Sequence, residues 1–227
     1  MNDKEGMFKS GKSIARNSSA PLFRGKENKG FSKVVESINR INRATELLEP
    51  GWHGSVRLSP YRQQEGTTCF FSGAIVVARD FFGVDIPETP LAAKARRLGL
   101  LNEAGARTAE EDKRSALEKF VKNETGVTIK FRGHSWGNRE EDLQILDVLV
   151  QRGNLASVLY PLTDNSHEWE TFFGVSKVIS EEGVRWYSNF SPAGIIKERS
   201  TPEMAQLLYR RPHKYLLICE IEVQTPL

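Results

Sequence analysis

The run Tyr61-Arg62-Gln63-Gln64-Glu65-Gly66-Thr67-Thr68-Cys69-Phe70-Phe71-Ser72-Gly73-Ala74-Ile75-Val76-Val77-Ala78-Arg79-Asp80-Phe81-Phe82-Gly83 joins a polar approach to an apolar segment. From Phe70 to Phe82 only Ser72, Arg79 and Asp80 are strongly polar. Ser72 and Arg79 lie seven apart, on one narrow stripe of a helix of period 3.6. The pattern predicts a helix buried over most of its surface. Thr67 or Thr68 is placed to cap its first turn and Gly83 to end it. Cys69 then stands at the helix start, where free backbone N–H groups and the positive end of the helix dipole favour a thiolate over a thiol. A free cysteine is otherwise a small buried hydrophobe, and Cys69 by itself does not choose between the two roles.

Outward from this run, the chain has 227 residues and 39% hydrophobic content, enough for one sizeable core. We expect a single domain over residues 34–227, preceded by a basic tail. Residues 1–33 carry eight Lys or Arg against three Asp or Glu, a net +5, so the rest holds −2 of the total +3. That tail is rich in Lys, Ser, Gly and Asn and is expected to be disordered. The slightly acidic body has no broad electrostatic footprint for nucleic acid. No run of about 18 apolar residues is present, and the N-terminus lacks the apolar segment of a secretory signal, so a soluble protein without a membrane span is expected. Two cysteines, Cys69 and Cys219, give no disulfide framework and suit a reducing compartment. Cys219 shares a strand face with Leu217 and Ile221 and reads as core.

Along the chain, periodicity predicts a helix over 34–48, a short strand over 55–59, the Cys69 helix, and a loop over 84–90. A helix is expected over 91–101, and another opens at the capping box Thr108-Ala109-Glu110-Glu111 and runs to about residue 123. A strand follows over 127–131, a helix over 140–152 and a buried strand over 155–162. The hairpin of 169–175 with 184–190 turns at Ser180-Glu181-Glu182-Gly183. A short helix begins at Thr201-Pro202, and the last strand covers 214–223. Helices first and a mostly antiparallel sheet after them make an α+β fold.

A cysteine nucleophile needs a proton acceptor, a group to orient that acceptor, and donors for the oxyanion. Of the histidines His53, His134, His167 and His213, His167 is the candidate base, because it follows the loop Thr163-Asp164-Asn165-Ser166 and opens a strand. Asn189 is the leading candidate to orient it, with Glu170 or Asp164 as substitutes. Gln63, upstream of Cys69, is positioned to donate to an oxyanion together with the Cys69 N–H. His167-Glu168 lacks a second histidine at helical spacing, and no Cys pair has zinc-ligand spacing, so neither a metal nor another cofactor is expected.

Gln63, Cys69 at a helix start, a helix ending at Gly153, the strand 155–162, His167, Phe172-Phe173-Gly174-Val175 and Asn189-Phe190-Ser191-Pro192 follow one another in an order that resembles the papain-like cysteine peptidases. The likeness, over about residues 57–220, is nearest to the bacteriocin-processing double-glycine-type peptidases and to cysteine-protease effectors that plant-pathogenic bacteria inject into host cells. It implies a papain-like fold with Cys69 as nucleophile, His167 as general base and acid, Asn189 as orienter and Gln63 in the oxyanion hole. It further implies a protein substrate, a host-cell protein in the effector case, and a tail serving secretion by a dedicated system and open to self-cleavage; without such secretion the resemblance implies a cytoplasmic protein. Three features depart from the family. Phe70 stands where a Trp is usual, Glu168 intervenes between His167 and Trp169, and His167 lies further from Asn189 than the family's spacing. The rival readings are glutamine deamidation or acyl transfer through the same thioacyl chemistry, and a non-catalytic binding module of the same fold.

Overall fold

The computed structural model describes residues 29–135, 145–163, 166–179, 183–209 and 216–223. The first helix, α1, spans Lys29–Glu46 and so begins four residues earlier than the tail boundary expected at residue 33. Strand β1 is Gly51–Gly54, immediately before the run 55–59 that was expected to be extended, which forms no strand. Helix α2, Cys69–Phe82, follows the apolar pattern and closes at Gly83, whose φ of 65° is the left-handed conformation that glycine adopts without strain. Helices α3 (Glu88–Arg97) and α4 (Glu111–Thr125) flank the two-stranded ribbon of β2 (Leu101–Asn102) and β3 (Gly105–Ala106). Thr108 caps nothing: the residue before α4 is Glu110, with extended backbone and no side-chain cap bond.

The rest of the chain builds a sheet. Its strands are β4 (Ile129–Ser135), β5 (Leu155–Thr163), β6 (Ser166–Lys177), β7 (Val184–Phe190), β8 (Ile195–Ser200) and β9 (Leu216–Ile221). They lie in the order β4-β9-β5-β6-β7-β8, and the adjacent pairs run antiparallel. A π-helical turn, Asp147–Gln151, precedes β5, and helix α5, Thr201–Tyr209, lies between β8 and β9. β1 pairs with residues 174–177 of β6, taking over the edge that β5 occupies only as far as Phe172. Strand β8 went unread in the sequence because Ile195-Ile196-Lys197-Glu198-Arg199-Ser200 lacks a clean alternation, and its residues are half-buried or exposed.

Helices cover both faces of the sheet, so two cores form, which is why several strands read as continuous apolar runs. On one face α2 supplies Phe70, Phe71, Ala74, Ile75 and Val77, packed against Leu155, Leu159, Trp169, Phe173, Leu217, Cys219 and Ile221 and against Leu117 and Phe120 of α4. The other core gathers Ile41 of α1, Leu149, and Met204 and Leu208 of α5 over Val158, Phe172, Val175, Trp186 and Ile218. Ser72 lies inside the first core at 2% exposure with no partner for its hydroxyl, so the polar stripe expected on α2 reduces to Arg79 and Asp80 at its end.

Buried carboxylates are compensated within the sheet. Glu170 of β6 receives both guanidinium nitrogens of Arg199, one at 2.8 Å, with the Tyr160 hydroxyl at 2.6 Å and the Ser188 hydroxyl. Glu220 of β9 takes Arg132 at 2.5 Å, Arg152 at 3.2 Å and Asn154 at 2.8 Å. Each group therefore keeps its charge satisfied out of water.

Gly73 sets how closely α2 approaches the sheet. A Cβ there would stand 2.6 Å from both Ile221 Cδ1 and Thr171 Oγ1. Gly73→Ala forces the helix off the sheet despite alanine's better helix propensity. It should lower unfolding stability by about 1–3 kcal/mol, read as a reduced urea midpoint at unchanged m-value.

Candidate functional site

The segment 61–68 arches from β1 to the start of α2 and is tied down on both sides. Asn189 Oδ1 accepts the Tyr61 N–H at 3.1 Å. The Ser191 carbonyl accepts the Gln63 N–H at 3.0 Å, and the Ser191 hydroxyl donates to Gln63 Oε1 at 2.8 Å, leaving the Nε2 end of that amide with hydrogens to give. Opposite, the buried Glu88 of α3 accepts the N–H of Gln64 at 2.9 Å, the N–H of Glu65 at 3.2 Å, and the hydroxyls of Tyr61 and Thr68. Thr68 precedes α2 yet makes no capping bond. Its hydroxyl turns back to the Glu65 carbonyl and to Glu88.

Cys69 is the first residue of α2 and is 7% exposed. Its N–H belongs to the first turn, where no intrahelical acceptor exists. The next residue, Phe70, meets Trp169 edge-on at 5.1 Å and stacks on Phe131 at 5.8 Å. This seats the helix start against β6 beside Trp169. On β6 alternation sends Trp169 and Thr171 toward α2, while Glu168 belongs to the other face. β7 pairs with β6 only from Thr171 onward, so 167–170 have no β7 partner among the described residues. Near that open edge the Glu168 carboxylate acts on the Cys69 thiol through its charge.

The electrostatics of Cys69 reverse the expectation drawn from its position. Burial first, and the Glu168 carboxylate second, push the thiol up to about 12, outweighing the Trp169 and Phe70 amides that favour the thiolate. Glu168, 4% exposed and with no partner for Oε1, is itself pushed up to about 7 by burial; Glu170 adds to the rise, while Cys69 and Lys197 oppose it. Lys197, held 3.1 Å from the Phe190 ring centroid, is shifted down by its own desolvation. At neutral pH this pairs a protonated thiol with a carboxyl near its midpoint.

The expected triad is not assembled. His167 is exposed and lies opposite Pro161 of β5, whereas Asn189, 1% exposed, lies opposite Thr171, four residues further along β6. At about 3.4 Å per residue these positions are some 13 Å apart along the strand. The register set by Lys177 opposite Val184 would place Asn189 at Phe172, and a bulge between Phe172 and Gly174 moves it one residue further toward His167, to Thr171, which stops short. Asn189 instead holds the arch through Tyr61, and its Nδ2 has no partner. Of the substitutes, Glu170 is committed to Arg199, and Asp164 lies outside the described residues. Gln63 lies on the arch that leads directly into Cys69.

His53 Nε2 lies 2.6 Å from the Glu49 carbonyl, away from the arch residues. His213 and the side chain of His134 are outside the described residues. Glu168 and Glu88 are the site residues that the sequence reading missed. The signal for Glu168 was present as the acid intervening between His167 and Trp169; Glu88 sat in what read as a loop. No group of His, Cys, Asp or Glu among the described residues is placed to hold a metal ion, and no described helix is long and apolar enough to cross a membrane. No protein-family model matches the chain, and the comparison with curated proteins finds no match.

A glutamic acid whose folded pKa of about 7 lies above its unfolded value near 4.5 favours folding fully below pH 4.5, and that contribution is lost as pH rises through 7. The loss is on the order of 2 kcal/mol. Urea unfolding at pH 5 and pH 8 should show wild type losing that much more stability than Glu168→Gln, whose side chain stays neutral throughout.

Proposed function

We propose that this chain is a cysteine peptidase of papain-like architecture acting on a protein substrate, with Cys69 as nucleophile and Glu168 in the role the resemblance gave to His167. The observation that carries the reading is a cysteine at the start of a buried helix whose thiol feels the Glu168 carboxylate, with the Gln63 amide held on the arch that leads into that helix. The antiparallel sheet beneath α2, and the order of elements from the arch to β9, support the papain-like assignment.

The chemistry follows from these groups. Glu168 takes the thiol proton as Cys69 sulfur adds to the peptide carbonyl carbon. The oxygen becomes an oxyanion, received by Gln63 Nε2 and the Cys69 N–H. On collapse the C–N bond breaks, Glu168 returns its proton to the leaving amine, and a thioester remains. Water, giving a proton to Glu168, adds to the thioester; the C–S bond breaks, the acid leaves and the thiol is restored. A glutamic acid near 7 is matched to both directions of this transfer at neutral pH.

A binding module on the same fold is the second reading, favoured by the burial of Cys69 and the elevation of its thiol. Mass spectrometry of a proteome-derived peptide library separates the two. The peptidase reading expects cleavage by wild type and none by Cys69→Ala, a loss of about 10²–10⁴-fold in Glu168→Gln, and a rate that rises with pH through about 7. His167→Ala should stay within about threefold of wild type. Intact peptides with wild type, together with unreactive Cys69 thiol, would leave the binding module standing. A gain of about one dalton without cleavage would move the reaction to deamidation.

A further inference from the structure

We infer that Glu88 is the positioning residue of this site: it fixes the arch that carries Gln63 and leads into Cys69 and so sets the oxyanion-binding geometry. The inference rests on the peptidase reading above and concerns a residue that touches neither the thiol nor the scissile bond.

Glu88 is 1% exposed and is the first residue of α3, yet its carboxylate serves another segment. Among the described residues its hydrogen-bond partners all lie in the arch: the amides of Gln64 and Glu65 and the hydroxyls of Tyr61 and Thr68. Each is a donor, so an ionised carboxylate, which only accepts, satisfies all of them at once. Hydrogen bonds to a charged acceptor are about twice as strong as neutral ones. The residues held are the neighbours of the proposed working groups: Gln64 follows Gln63, and Thr68 precedes Cys69. Ser191 grips the same arch from the sheet side at Gln63. The amide donor is therefore fixed between a strand end and a helix start, while Asn189 holds the arch at Tyr61 and Arg96 of α3 holds it at Glu65 and Thr67. A segment this polar, with Gly66 at its crown, has little apolar burial of its own to hold it. Freeing it from Glu88 would blur the Gln63 position while leaving Cys69 seated by α2, which is anchored in the core by Phe70 and Phe71.

The test compares two reactions of Cys69 in the full chain at pH 9. Alkylation by iodoacetamide is a displacement that needs no oxyanion site. With acetyl-leucyl-leucyl-norleucinal, the sulfur adds to the aldehyde carbon and the thiol proton passes to the aldehyde oxygen, giving a hemithioacetal whose oxygen occupies the oxyanion position. Loss of one oxyanion donor costs about 10²–10³-fold where it has been measured. Glu88→Ala should therefore weaken the aldehyde adduct by about 100-fold and Glu88→Gln by about tenfold, with alkylation rates within about threefold of wild type. Tyr61→Phe, which removes one donor and leaves both amide bonds, should fall below Glu88→Gln in effect. It carries the test with Glu88→Gln if Glu88→Ala does not fold. Equal losses in both reactions, or aldehyde affinities unchanged in Glu88→Gln, would overturn the positioning role. A wild-type protein that forms no aldehyde adduct overturns the peptidase reading itself, and the role of Glu88 with it.

Discussion

The burial of α2 is the constraint on which the remaining structure depends. A helix with Phe71, Ile75, Val76 and Val77 all at 1% exposure or less cannot lie on a surface, so it needs apolar cover on more than one side. The sheet provides one side and α4 another, and Gly73 permits the close contact with Thr171 and Ile221. Once α2 is fixed, its first residue is fixed too. Cys69 falls beside Trp169, near the edge where β7 has not yet begun to pair, and the Glu168 charge acts on its thiol.

Position and chemistry separate at that point. A helix start attracts negative charge, and the neighbouring amides pull Cys69 toward the thiolate. Burial and a carboxylate pull the other way and win, because desolvation at an almost closed site exceeds what two amides return. The pair therefore shares protons as a unit and is best described by its joint titration. A thiol held in this way is slow to react with passing electrophiles.

Much of the fold was legible. α2 and its glycine stop, the hairpin of β6 and β7, the buried β5 and the core face of Cys219 all follow from periods of 3.6 and 2 read against turn residues. β8 was not, since a half-exposed strand carrying Lys197, Glu198 and Arg199 shows no apolar alternation. The site was legible as residue types and illegible as geometry. Gln63 lies on the arch that leads into Cys69 because the two are close in the chain. The group that acts on Cys69 was not legible, because alternation along β6 assigns Glu168 to the face away from α2 and its effect on the thiol comes through charge at the strand edge. The offset between Asn189 and His167 depends on a bulge that no pattern in the sequence announces. Glu88 was hidden for a different reason: its partners are mostly backbone amides, which any sequence supplies.

β1 has a bearing on where the chain tolerates shortening. It completes the sheet beside residues 174–177 of β6, and the Lys177 ammonium bonds the Glu46 and Leu48 carbonyls at the junction between α1 and β1. α1 in turn places Ile41 in the same core as Met204 and Leu208 of α5. A proteolytic cut or a shortened version that removes α1 and β1 therefore bares a row of unpaired strand amides and carbonyls together with an apolar floor, the surface from which strand-to-strand aggregation starts.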